Sequence, residues 1–376
     1  MSLKPIIIDL GSCEVKSGYR TEEGVPSIRF PSYIGEPKYN KILRTLNKSK
    51  SEFKEQFVGD SCEPYLGILK LRYPIKHGVF SNKEDISLIF NHIYSNLKLS
   101  SEKVSQHPLL ISEPILNPKS NRENIAEILF EKYNIPSLIF GYQPSLSLLA
   151  FSSTSGVIVE TGDGVSQTCS VIDGYSIPSS FIRSDFGGED VSDYFRKLLR
   201  MKGFDLITET EKLLLHEIKR KYLNCNLDGK KEDKVFKYVL PDQKVIQLDS
   251  DNYYASKVLF NPSLVGKNCL GLHHMLSTCI EKTNSEFREK LCSNIKLTGG
   301  NSCIKGLSEV LHTQIKLLLP KFKNNAKIKT MNSNSAAISC WMGGNIIANL
   351  GIFKDLLITK ENWEDSGKNI LHKQTF

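Results

Sequence analysis

The sequence predicts an α/β protein of two similar lobes, and three observations carry the prediction. The run Ile6, Ile7, Ile8, Asp9, Leu10, Gly11, Ser12 places β-branched residues, an acid and a glycine turn in that order. The run Val157, Ile158, Val159, Glu160, Thr161, Gly162, Asp163, Gly164 repeats the arrangement about 150 residues later, as expected of two half-domains built on one plan. Helix-like apolar periodicity alternates with these strand signals at 83–97, 121–133 and 307–319.

A chain of 376 residues is too long for one small core, so two domains are expected. Its 40% hydrophobic and 24% charged content is that of an ordinary globular protein. No apolar leader precedes the first strand, and the most apolar region, 135–151, is broken by Pro136 and Pro144. The expectation is a soluble intracellular protein with no signal peptide and no membrane span. Nine cysteines, an odd number without any C-x-x-C pair, argue against a disulfide framework and against a zinc site.

The formal charge of +8 is unevenly spread. Six basic residues (Lys38, Lys41, Arg44, Lys48, Lys50, Lys54) stand against two acids (Glu36, Glu52) in one stretch, and residues 316–329 hold five lysines and no acid. Neither stretch interleaves aromatics or forms a nucleic-acid module. Solvated faces or protein-partner surfaces are therefore expected, rather than nucleic-acid contacts.

In chain order, 4–30 reads as strands around the first turn, with Lys16 placed to reach back over it as a point charge. Residues 36–57 are polar, basic and without period, which predicts a surface excursion. Two helices follow at 83–97 and 121–133, the second capped by Ser120 or Asn121 after Asn117-Pro118. Gln143 stands before the apolar run 146–151, where a buried amide with its partners is the ordinary expectation. In the second turn, glycines free backbone N–H groups to face an anion, and its acids suit a hydrated divalent cation beside it. Residues 185–190 end a strand and open a helix at 191–201, and 202–237 reads as helical and charged. A third turn, Leu297, Thr298, Gly299, Gly300, Asn301, Ser302, follows a strand and precedes the helix at 307–319, so that its paired glycines allow close approach of a ligand.

Taken together, these turns and several collinear stretches resemble actin and the actin-related proteins over essentially the whole chain. The stretches are PSYIG (31–35), VGD (58–60), RYPIKHGV (72–79), LNPKSNRE (116–123), GYSIP (174–178), CWMGGNIIANL (340–350) and SGKNILHKQTF (366–376). The resemblance implies an actin-like ATPase fold, two ribonuclease H-like lobes around a nucleotide cleft. The outer lobe would span 1–150 plus 339–376, with an insertion-loop subdomain at about 32–73. The inner lobe would span 151–338, with a small subdomain at about 187–267. The implied ligands are ATP or ADP with Mg²⁺. Gly11, Ser12, Cys13, Lys16, Gly162, Asp163, Gly164, Gly188, Lys219, Gly299, Gly300 and Asn301 match nucleotide-contacting positions. Asp9 and Glu160 match those that hold the metal through water, and Gln143, Glu160 and Gln167 those of the hydrolytic shell.

The departures from the family are as informative. Cys13 stands where the family has glycine, Arg220 where it has an acid near the sugar, and Cys303, Ile304 and Ala337 where it has larger or charged base contacts. Glu160 replaces an aspartate, and one extra methylene moves the carboxylate by roughly the 1 Å that costs about 10²-fold in rate. Gln167 replaces a histidine and cannot take up a proton near neutral pH. The loop at 36–57 is longer than its counterpart, and the connection at 227–236 is shorter. The resulting expectation is a divergent actin-related protein, at most a weak ATPase and a poor homopolymer, serving as a structural or regulatory subunit of an actin-based cytoskeletal assembly. Its partners would be actin, other actin-related proteins or a multiprotein cytoskeletal complex in the cytoplasm, with no membrane role. Two other readings are a true filament-forming actin-like ATPase and a nuclear actin-related subunit of a chromatin-remodelling complex. A sugar kinase on the same core fold is disfavoured because no acceptor-site acid is identifiable.

Overall fold

The computed structural model describes residues 4–38, 56–226, 235–249 and 251–373. Most of the excursion at 36–57, most of the connection at 227–236 and the end of the last motif lie outside the described residues. The chain divides into two compact units, Met1–Leu146 with Trp341–Phe376, and Ser147–Cys340.

The first unit is built on a mixed sheet whose central strand is Ile6–Leu10 (β1). Three consecutive isoleucines there are buried, as in a strand covered on both faces. Glu14–Tyr19 (β2) folds back antiparallel on β1, and Ile28–Pro31 (β3) pairs antiparallel with β2. On the other side Leu109–Glu113 (β4) runs parallel to β1, and Ser137–Tyr142 (β5) runs parallel to β4. Helix Lys83–Asn96 buries Ile86, Ile89, Phe90 and Ile93 at helical spacing, and the Asn82 side chain caps it by accepting from the Asp85 amide. Trp341, fully buried, donates its indole N–H to the carbonyl of Ile7 at 3.1 Å, which ties the late segment of this unit to its first strand. Near its end the chain is held by Arg122, which pairs with Glu113 and donates to the Leu371 carbonyl at 2.7 Å, and by Trp363 stacked on Phe130. A small separate sheet, Phe57–Val58, Ile34–Pro37 and Leu69–Arg72, lies within the range expected for a subdomain.

The second unit repeats this pairing plan. Gly156–Thr161 (β6) and Ser166–Ile172 (β7) form an antiparallel hairpin, Ile295–Thr298 (β8) runs parallel to β6, and Ile328–Thr330 (β9) runs parallel to β8. Gly188–Met201 (α1) packs Val191, Phe195 and Leu199 into the core, and Leu307–Leu318 (α2) packs Leu307, Leu311 and Ile315. The sheets are thus copies of one design: a hairpin partner on one side of the central strand and a parallel strand on the other. Among the described residues no helix is long and apolar enough to cross a membrane.

Two local expectations are corrected. The helix expected at 121–133 begins at Lys119, with Pro118 at its cap, and passes into a π-helical turn at Ile128–Lys132. Asn121 is inside that helix, where its side chain accepts from the Phe80 amide at 3.1 Å and donates to the Gly78 carbonyl at 3.2 Å. Among the described residues of 202–237, helix is found only over Glu209–Tyr222. Gly203, at φ +87°, follows the end of α1, and Thr208 and Glu211 form a capping box that starts the next helix. Phe236–Val239 is a strand paired with Val245–Leu248, where burial alternates.

Glycine is obligatory where backbone packs on backbone. A Cβ on Gly343 would fall 1.7 Å from the Leu146 carbonyl oxygen, whereas one on Gly300 meets nothing within 4 Å. Gly343→Ala is expected to destabilise the protein by about 3 kcal/mol or more and Gly300→Ala by well under about 1 kcal/mol. Chemical denaturation of the two variants in parallel measures the difference.

Candidate functional site

In the first unit the hairpin register sets Asp9 opposite Lys16. The Asp9 carboxylate is 4% exposed and almost fully engaged. Lys16 Nζ donates to its Oδ2 at 3.1 Å, while Ser112 Oγ at 2.5 Å and Gln143 Nε2 at 3.4 Å donate to its Oδ1. Lys16 also donates to the Glu14 carbonyl at 3.3 Å, so it folds back over the turn as expected. A Cβ on Gly11 would lie 2.6 Å from that same carbonyl, which is why this tight turn takes glycine. Ser32 Oγ donates to the Gly11 carbonyl at 2.6 Å, and Ser12 Oγ accepts a long bond from the Gly78 amide at 3.4 Å. Cys13 is exposed at the tip of the turn.

In the second unit the equivalent register sets Glu160 opposite Gln167. Gln167 Nε2 donates to Glu160 Oε2 at 3.1 Å, and Ser147 Oγ donates to Oε1 at 3.4 Å. Around the turn, Asn301 Nδ2 donates to the Gly162 carbonyl at 2.7 Å and to Thr161 Oγ1 at 3.1 Å, which joins the third glycine turn to the second. Lys219 Nζ donates to the Gly188 carbonyl and to Ser192 Oγ, both at 2.8 Å, and stands 3.7 Å from the Asp163 carboxylate. A Cβ on Gly188 would sit 2.7 Å from Asp163 Oδ1, and one on Gly299, at φ +88°, would sit 2.4 Å from the Thr161 carbonyl. Contrary to the expectation that the glycine amides of the turn face outward, the Gly162 N–H is bonded to the Val165 carbonyl at 2.9 Å. Gly164 is buried beside it.

The expected residues therefore form two clusters. Asp9, Gly11, Ser12, Cys13, Lys16 and Gln143 are in the first unit, and Glu160, Gly162, Asp163, Gly164, Gln167, Gly188, Lys219, Gly299, Gly300 and Asn301 are in the second. Three partners carried no local signal. Ser112 reaches Asp9 because β4 runs parallel beside β1, Ser147 reaches Glu160 from the preceding helix Gln143–Ala150, and His216 lies one helical turn before Lys219.

Both acids have their oxygens committed to protein donors, and among the described residues no group of three or more His, Cys, Asp or Glu side chains is placed to hold a metal directly. That donor set suits a hydrated Mg²⁺ bound through water and unsuits a transition-metal site. Open space at Gly162, where a Cβ would meet only the Val165 carbonyl at 3.5 Å, and at Gly300 fits the close approach of a ligand to backbone.

Compared with models of known protein families, the chain matches Actin over residues 1–376. It is also similar to a protein described as "Actin-like protein" from Neurospora crassa, 34% identical over 381 residues, a match covering 98% of this chain and 97% of the relative. The chain belongs to the actin family. Proteins of the actin family typically bind a nucleotide with a divalent cation, and the two hairpin turns are the elements of this actin-like chain with suitable chemistry.

His216 adds a pH dependence to the second cluster. Burial, reinforced by the charge of Lys219, pushes its pKa down from 6.5 to about 4. The folded protein therefore keeps this imidazole neutral while the unfolded chain protonates it. Between those two values the unfolded state binds more protons, so stability falls as pH drops through the window. His273, lowered to about 4 by burial and then by His274, contributes in the same direction. His216→Gln is expected to flatten part of the dependence of Tm on pH between about 6.5 and about 4, and a series of thermal melts checks it.

Proposed function

We propose that this actin-family protein binds Mg-ATP through the two turn clusters and serves as a structural or regulatory subunit of an actin-based cytoskeletal assembly, with slow hydrolysis. The observation that carries the reading is the Glu160–Gln167 hydrogen bond. A carboxylate tied to an amide lies where an efficient hydrolase needs an acid for the metal's waters and a group able to take a proton from the attacking water. Glutamine orients by hydrogen bonding and takes no proton at neutral pH. In the first cluster Lys16 and the Asp9 network supply fixed charge and position, and Gln143 is the remaining group able to orient a water. Asp9 and Glu160 are the residues that would hold a hydrated Mg²⁺, which when bound would neutralise phosphate charge.

Turnover is then secondary to shape, because a nucleotide that binds only the folded state stabilises it in proportion to saturation. Actin or related proteins are the partners that family membership suggests, in a cytoplasmic cytoskeletal complex. Homopolymerisation is expected to be poor. A head-to-tail filament repeats one pair of surfaces at every contact, and this sequence is rewritten at one of them, between residues 36 and 57.

Gly162→Val is expected to abolish Mg-ATP binding in a calorimetric titration, and a thermal melt of the ligand-free variant verifies folding, since a Cβ there meets only the Val165 carbonyl at 3.5 Å. Undiminished affinity would sink the assignment. Glu160→Asp combined with Gln167→His is expected to raise single-turnover phosphate release by about 10-fold or more with little change in nucleotide affinity. A wild-type rate equal to that of actin in the same assay would overturn the slow-hydrolysis reading. Long filaments sedimenting from purified protein with Mg-ATP alone would instead favour a filament-forming ATPase.

A further inference from the structure

The second unit ends its sheet in a lysine-rich edge that no acid among the described residues pairs. Lys316, Lys321, Lys323, Lys327 and Lys329 are all exposed, and among the described residues none forms an ion pair. The nearby acid Glu289 is bonded instead to Asn325 Nδ2 at 2.6 Å. Strand β9 carries Lys329 in its middle, pairs on one side with β8 and is the last strand of the sheet, so its outer side is open. A groove beside it is lined by Ser308, His312, Ala326, Lys327 and Ile328, with Glu309 also on its wall.

A second observation points outward from the same place. Lys296 of β8 is directly opposite Lys329 in the register, is 4% exposed and has its Nζ 5.5 Å from the centroid of the Phe151 ring. Like charges facing each other on neighbouring strands destabilise the pair, and an ammonium behind a low-dielectric wall keeps its field unscreened. Burial and the charge of Lys329 lower the Lys296 pKa accordingly. A carboxylate placed against Lys329 relieves both lysines at once.

We propose that the open edge of β9 is a docking site for an acidic, extended segment of a protein partner, which adds to the sheet by main-chain hydrogen bonds while its carboxylates meet Lys327 and Lys329. Strand addition to an exposed edge gives affinity through the backbone and selects by side-chain chemistry. Here the chemistry is lysines that no acid among the described residues pairs. A nucleic acid fits less well, because the segment 316–329 offers only the half-buried Phe322 for stacking, whereas a strand at the end of a sheet matches a peptide. The site deepens the proposed role as a subunit that works through protein contacts, and it is independent of nucleotide binding.

The probe is a fluorescent peptide of alternating glutamate and valine, titrated into the full chain at low and at physiological salt and followed by anisotropy. Saturable binding that weakens with salt is expected. It should drop about tenfold or more in Lys327→Glu with Lys329→Glu, and by less in the neutral variant Lys327→Gln with Lys329→Gln. Both pairs are surface changes, and a thermal melt verifies folding. Absence of saturable binding, or binding unchanged by charge reversal, overturns the proposal. Competition by single-stranded DNA at equal or lower concentration than the peptide overturns it in favour of nucleic acid. A Mg-ATP titration on the same preparations separates this outcome from failure of the nucleotide reading.

Discussion

The structure depends first on what a short antiparallel hairpin does to the two residues that flank it. Both central strands, β1 and β6, turn back through four residues, Gly11–Glu14 in one and Gly162–Val165 in the other. With that loop length and the alternation of side chains along a strand, the acid near the end of the first strand must face the residue seven positions later. Asp9 therefore faces Lys16 and Glu160 faces Gln167, and each pair is in hydrogen-bond contact. Everything else in the two clusters is arranged around these fixed couples: Ser112 and Gln143 on one, Ser147 on the other.

The couples differ in charge, and the difference has consequences. Asp9 and Lys16 form a nearly buried ion pair, so the first turn is balanced by itself and Lys16 holds its position without a ligand. Glu160 accepts from an amide and from a hydroxyl. Near the second turn the cation is Lys219, which is anchored to the Gly188 carbonyl and to Ser192 and reaches Asp163 rather than Glu160. The second cluster thus holds its carboxylate through an amide, which orients it and supplies no base.

Much of this was legible in the sequence because it is local. The β-branched runs, the acids and the glycines of the hairpins occur within single windows of the chain, and the strand, turn and partner positions follow from spacing. The sheet plan followed from the same repeat. Ser112 and Ser147 escaped notice because their roles come from strands and helices brought together over distances that no pattern encodes. Asn121 was misread for a related reason: an Asn after Asn-Pro suits a cap, yet Pro118 takes that position and the amide is drawn into bonding the segment at Gly78 and Phe80. The span 202–237 reads as helical and charged, yet Gly203 and the Thr208–Glu211 capping box place the start of its helix at Glu209.

The glycines divide into two kinds once the folded chain is known, and the division bears on function. Gly11, Gly188 and Gly299 are required by the protein itself, since a Cβ on any of them would press on backbone or on a fixed carboxylate. Gly162 and Gly300 lie in the same turns without such a requirement: neither has a left-handed φ, and a Cβ would meet only one atom at 3.5 Å in the first case and none in the second. A glycine in such a position costs up to about 1 kcal/mol relative to alanine through the freedom of the unfolded chain. A ligand that must come closer to the backbone than a methyl group allows would offset it, and the direction from which it must come is set by the two turns that carry these glycines.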